Sequence, residues 1–253
     1  MKSAFLLIPL FLGFLVLFFS ACQSKESNPA QRIVDQAIET HGMDKLDQSV
    51  VEFDFRNRHY RATRRGGQFV YERIFEDSLG TIHDSLSNEG FQRRINGEGV
   101  ELTEERKSAY SNSVNSVIYF ALLPYFLNDP AVQKTFLGES QIKGEPYYKV
   151  KVTFQADGGG KDHDDEYIYW FHKDNYTMDY LAYNYQVEGG GARFRVAYDQ
   201  RKVDGILFAD YHNLKPADKD NLAVATFDSL YHQDALIHLS EIKSEDIAVE
   251  LLN

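Results

Sequence analysis

From Val50 onward the chain is a succession of short runs with a side-chain period of two, each cut off by turn chemistry. Val51, Phe53 and Phe55 alternate with Glu52 and Asp54, which puts one row on a buried face and the other toward water. Runs at 59–64, 68–75, 81–87 and 90–95 follow, separated by Gly66-Gly67 and by the segments 77–80, 88–90 and 96–99, all rich in Gly, Asn and Asp. Separators this tight join neighbouring strands antiparallel. After Asn128-Asp129-Pro130 the rhythm resumes at 135–142, 147–156, 165–172, 178–187, 192–202, 206–214 and 226–236. The segments 237–242 and 247–252 read as one last strand or as a strand and a tail. Eighteen Phe and sixteen Tyr favour strands over helices. The pattern predicts a mainly β, α+β fold: one curved antiparallel sheet in a single domain with no internal sequence repeat.

Two segments break the rhythm. Residues 29–41 predict a helix: Pro29 suits a first turn, and Ile33, Val34, Ala37, Ile38 and His41 recur at helical spacing. Gly42 suits its C-terminal stop. The second is the insert after Thr103, which can cap a helix whose acidic Glu104-Glu105 complement its positive end. Its later half, Val114 to Leu127, is the most apolar stretch outside the N-terminus. One helical period fits it poorly, which predicts two short helices. They either pack on the sheet or form a lid over an apolar cavity.

At the N-terminus Lys2 precedes an apolar run from Ala4 to Phe19, then Ser20-Ala21-Cys22. This order resembles a bacterial lipoprotein signal, with Phe19 where such signals usually carry Leu. Cys22 is the sole cysteine of the chain, so its place directly after two small residues is informative. The resemblance implies that 1–21 is a removed signal peptide and that Cys22 carries acyl chains. Residues 22–28 would be a lipidated tether and 29–253 the folded domain. Each buried methylene adds about 0.8 kcal/mol to such an anchor. Gln23, which is not Asp, points to an outer-membrane lipoprotein facing the periplasm or the cell surface. Loss of Lys2 takes the formal net charge from −11 to −12, a balance that excludes nucleic acid as a partner. With its one cysteine lipidated the domain holds no disulfide, and a monomer is expected.

The hairpin Leu137-Gly138-Glu139-Ser140-Gln141-Ile142-Lys143-Gly144-Glu145-Pro146-Tyr147-Tyr148-Lys149-Val150 resembles the "G-E-x-x-I-x-G-x-x-Y-Y-x-V" element of lipoprotein-carrier proteins of the LolA/LolB type. A strand with a central Trp, Tyr167-Ile168-Tyr169-Trp170-Phe171, follows as in that family. Val203-Asp204-Gly205-Ile206 is similar to its "V-D-G-I" turn, and the early helix ending His41-Gly42 also matches. The chain as a whole is similar to uncharacterised outer-membrane lipoproteins of Bacteroidetes. The resemblance implies an open half-barrel closed by helices around an apolar cavity that holds acyl chains. On that account Val117, Phe120, Leu123 and Phe126 form the lid and face Phe53, Phe55 and Trp170.

Polar chemistry is sparse. The loop from Asp157 to Glu166 gathers carboxylates, and Asp162, Asp164 and Glu166 are candidate Ca²⁺ ligands, although Lys161 sits among them. No histidines share a ligand spacing, and no serine sits in a Gly-x-Ser-x-Gly elbow. The arginines at 56, 58, 61, 64 and 65 are diluted by acidic neighbours and suit an exposed strand face with a possible anion-binding use. Three classes follow: a non-catalytic binder of a lipid or other apolar ligand, with no cofactor; an envelope interaction protein with a filled core; and a metal-dependent hydrolase.

Overall fold

The computed structural model describes residues 28–155, 165–186 and 189–252. The segment expected to be a leader, Cys22 and most of the acidic loop, including Asp162 and Asp164, lie outside the described residues. Among those described, fourteen strands form two antiparallel seven-stranded sheets. In chain order they are α1 (Pro29–Thr40), β1 (Gln48–Asp54), β2 (His59–Arg65), β3 (Gln68–Asp77), β4 (Gly80–Ser87), β5 (Gly90–Ile95), β6 (Glu98–Gly99), α2 (Glu104–Ala121), β7 (Val132–Ile142), β8 (Glu145–Phe154), β9 (Tyr167–His172), β10 (Met178–Tyr185), β11 (Gly191–Val203), β12 (Ile206–Pro216), α3 (Phe227–His232), β13 (Leu236–Ile242) and β14 (Glu245–Leu251). The first sheet runs β14-β1-β2-β3-β4-β5-β6 and the second β13-β12-β11-β10-β9-β8-β7.

This is the open antiparallel half-barrel of α+β type, hydrogen-bonded in two halves. The chain passes between the halves twice, through α2 and again at the C-terminal end. β13 pairs with β12 and β14 pairs with β1, and only Lys243 and Ser244 separate them. The C-terminal segment is thus two strands in two sheets. Its crossing is held by side chains: the Asp210 carboxylate accepts from Ser244 N at 3.1 Å and pairs with Arg201 at 3.0 Å, while the Arg201 guanidinium donates to the Ser244 carbonyl.

The helices depart from expectation in two places. The insert is one unbroken helix, α2, followed by a 3-10 turn over Tyr125–Asn128, and not two short helices. Only Val114 and Ile118 of α2 are fully buried, so a blurred apolar period did not signal a break. Thr103 caps α2 through Oγ1, which accepts from Arg106 N at 3.4 Å. The segment 226–236, expected as a strand, carries α3 instead. Phe227, Leu230 and Tyr231 recur at three to four residues, and burial of Phe227 against β9 and β11 neighbours rewards the helix.

Polar contacts seat the first half of α2. Asp84 is fully buried between Arg73 and Arg93, at 2.6 Å from each. Arg73 extends on to donate to Ser113 Oγ of α2 at 2.7 Å, and the Arg93 guanidinium lies 3.6 Å from the Tyr110 ring centre. Asp84 can bear burial because both its oxygens are taken by guanidinium donors.

At the far end of α1, Gly42 has φ +66°, and a Cβ there would sit 2.1 Å from the Gly205 carbonyl oxygen. Leu207 N donates to the His41 carbonyl at 2.8 Å. The His41-Gly42 stop and the Val203-Asp204-Gly205-Ile206 turn therefore meet, and glycine is required because any side chain would separate α1 from β12. His41 itself is buried. Its Nδ1 lies 2.7 Å from the Ala37 carbonyl and its Nε2 accepts from Met178 N at 3.4 Å. Burial lowers its pKa to about 4, so the ring is neutral.

Candidate functional site

The inner faces of both sheets converge on α2. From the second sheet Val150, Val152, Tyr169, Phe171, Leu181 and Tyr211 pack beneath α1 and Leu123. From the first sheet Val51, Phe53, Tyr60 and Tyr71 pack against Val114, Ile118 and Leu122. Between these masses a cavity of about 330 Å³ remains. Phe53 of β1 and Phe55 just beyond its end form one wall, Val117 and Phe120 of α2 the roof, and Tyr183 and Tyr211 the opposite wall. It lies at the junction of the sheets, since Ile242 and Ser244 also line it. Arg56 and Ser116, both exposed, mark its rim.

Two polar side chains enter this apolar wall. Arg195 of β11 and Asn213 of β12 are direct cross-strand partners, so their side chains lie side by side on one face. Both are more than nine-tenths buried, at 8% exposure each. The Arg195 guanidinium lies 3.8 Å from the centre of the Phe120 ring and donates to the Tyr183 hydroxyl at 3.0 Å. Its Nε has no acceptor, and among the described residues no carboxylate pairs with it. Asn213 donates from its amide nitrogen to Ser240 Oγ at 3.1 Å, while its Oδ1 receives nothing. Burial raises the Tyr211 phenol above its ordinary pKa, so that ring stays neutral.

Of the seven residues expected to bound the cavity, Phe53, Phe55, Val117 and Phe120 line it. Leu123 turns instead toward α1 and the second sheet. Phe126 faces a separate hollow of about 430 Å³ beside Arg64, Tyr71 and Tyr119. Trp170 is a correction. It points to the outer face of β9, where it packs with Phe194 and donates from Nε1 to Asp228 at 3.2 Å. On β9 Tyr167, Tyr169 and Phe171 point inward, so Ile168 and Trp170 must point outward. Arg195, Asn213, Tyr183 and Tyr211 were not anticipated.

The metal candidates fare differently. Glu166 is paired with Lys151, so a cation would compete there with an ammonium group. The structure assembles another group that linear spacing hid: His212, His238 and Glu241, on the paired strands β12 and β13, hold ligand atoms within 4.8 Å of one another. They sit on the surface, and Lys243 already engages Glu241 at 2.7 Å and lowers its pKa. Of the basic run, Arg61 pairs with Glu52 at 3.3 Å and Arg64 stacks on Tyr125 at 4.7 Å, while Arg56 stands at the cavity rim.

Comparison with solved structures places this architecture. A LolA superfamily protein from Nitrosomonas europaea superposes with a TM-score of 0.50 at 10% identity, covering 88% of this chain and 93% of that one. A DUF1329 family protein from Desulfovibrio piger aligns at 13% identity and a TM-score of 0.49, over 83% of this chain and all of that one. The chain has a LolA-like fold. Among curated proteins, none matches the sequence. By the match of residues 9–244, the chain belongs to DUF6503, a family of unknown function.

Proposed function

We propose that this protein is a lipoprotein of the cell envelope, anchored through Cys22, that holds a lipid or other apolar ligand between α2 and the two sheets and performs no catalysis. The observation that carries the reading is the cavity of about 330 Å³ walled by Phe53, Phe55, Val117, Phe120, Tyr183 and Tyr211. Protein interiors are close-packed, and a hollow of this size with mostly apolar walls falls in the range of ligand pockets, about 300–1,000 Å³. An occupant would gain roughly 25 cal/mol for each Å² of apolar surface withdrawn from water. The LolA-like fold supports the reading, with α2 here covering the hollow between the sheets.

The test is direct. Mature protein stripped of co-purifying lipid should take up a fluorescent fatty-acyl probe, and Val117→Trp, which fills the roof, should abolish uptake while the protein stays folded. Equal uptake by the Val117→Trp protein would place the probe elsewhere and defeat the reading. For the anchor, labelled palmitate should enter the wild-type protein in cells and be absent from Cys22→Ser. Incorporation into Cys22→Ser would defeat that part alone.

A further inference from the structure

An arginine buried in an apolar wall without a counter-ion is costly, because the charge has lost its hydration and gained only partial replacement. Among the described residues the one other fully buried arginine, Arg73, is paired, and so are two cations that are largely enclosed. Arg73 and Arg93 share Asp84, and Lys149 has Asp228 at 2.8 Å. Arg195 has the Phe120 ring and one phenol hydroxyl, and its Nε is left over. Directly beside it, across the strand pair, Asn213 Oδ1 is an acceptor with no donor. A donor and an acceptor are thus both unsatisfied at adjacent positions, in the wall of the one cavity that both line.

We infer that Arg195 and Asn213 form a headgroup site, and that the ligand is a single-chain amphiphile whose head carries an anionic oxygen next to a hydroxyl or amide N–H. This rests on the reading of the cavity as a lipid site and names the class of lipid. The anionic oxygen accepts from Arg195 Nε. The neighbouring donor of the ligand serves Asn213 Oδ1. The apolar chain lies along Phe53, Phe55 and Val117, which carry no polar atoms to compete. The volume is at the small end for a ligand pocket, which suits one chain and not several. Arg56 at the rim adds a cation on the path inward, a favourable approach for an anion to a protein whose net charge is otherwise negative.

The test uses the full mature chain, stripped of lipid, in calorimetric titrations with lauric acid, β-hydroxylauric acid, 1-dodecanol and acetate. Lauric acid should bind roughly ten- to a hundredfold more tightly than 1-dodecanol, the range for a hydrogen bond to a charged partner. β-Hydroxylauric acid should gain roughly two- to tenfold more, and Asn213→Leu should remove that gain alone. Arg195→Met should weaken the acids to the level of the alcohol, and Arg195→Lys should keep part of the preference. Acetate should not displace lauric acid. Equal binding of acid and alcohol would overturn the headgroup site and leave the apolar cavity standing. Failure of both to bind would overturn the cavity reading and this inference with it. Displacement by acetate would show an anion site indifferent to a chain, and would overturn the amphiphile. Thermal unfolding of the lipid-free Arg195→Met protein adds a readout that separates a structural role. The expected midpoint is equal to or above that of the wild type, and a clear fall would make Arg195 a structural cation held by Phe120.

Discussion

The two faces of the second sheet solve the same problem in opposite ways. On the outer face Trp170, Phe194, Tyr180 and Phe227 pack under α3, and the buried cation Lys149 meets Asp228, which also accepts from the Trp170 indole. On the inner face the sheet meets α2 across a hollow, and the buried cation Arg195 meets no carboxylate among the described residues. The strands are the same, so the backbone does not explain the difference. What differs is whether the covering helix brings a partner for each polar group. A face whose helix supplies the carboxylate is finished by folding. A face whose helix supplies only a ring leaves its cation without a carboxylate, and on our proposal a ligand completes it.

That contrast can be broken experimentally. The largest effect belongs to the outer face: Asp228→Asn keeps the shape, takes away the counter-ion of Lys149 and leaves it the Ala225 carbonyl, and should cost about 3–5 kcal/mol in urea unfolding. A loss below about 1 kcal/mol would erase the distinction between the faces. Next comes His41, a second buried base on the inner side, which avoids cost by staying neutral. Its pKa falls from 6.5 in the unfolded chain to about 4 in the fold. The folded state therefore binds its proton less readily, so stability is full above pH 6.5 and declines as pH falls toward 4. The integrated loss is about 3 kcal/mol. His41→Gln should flatten the stability profile over that interval, and an unchanged slope would count against the buried neutral ring. Smallest is a paired substitution. Ala182→Leu, in the filled outer cluster, should cost about 1–3 kcal/mol through overpacking. Ala209→Leu, in the cavity wall, should cost less than about 1 kcal/mol and weaken acyl-probe binding. Equal costs at the two alanines would mean that the inner face is as full as the outer.

The strand rhythm was readable because turns in this chain are spelled by Gly, Asn and Asp and because most strands are buried on one side only. β9 is where that signal fails. Tyr167 to Phe171 are buried on both faces, so alternation has no phase, and nothing local says which way Trp170 points. The segment carrying α3 held a helical spacing, but its short length gave period-two and period-3.6 readings equal weight. Phe53, Phe55, Val117 and Phe120 could be anticipated at the cavity because the resemblance to the carrier family sets the helical insert over the hollow side of the first strands. Arg195 could not. In sequence it alternates with Phe194 and Val196 as a solvent-facing residue would, and only the pairing with β12 and the approach of Phe120 reveal that it is enclosed. Its missing partner is a property of three-dimensional neighbours, which no spacing encodes. The gathering of His212, His238 and Glu241 was hidden for the same reason.

The passage through Lys243 and Ser244 has a mechanical consequence. Ladder bonding ends on one side of it and begins on the other, and the backbone between is restrained by Arg201 and Asp210. Ser244 and Ile242 also border the cavity. The width of the hollow is therefore set in part where the two ladders part company, at a junction that two side chains hold in place.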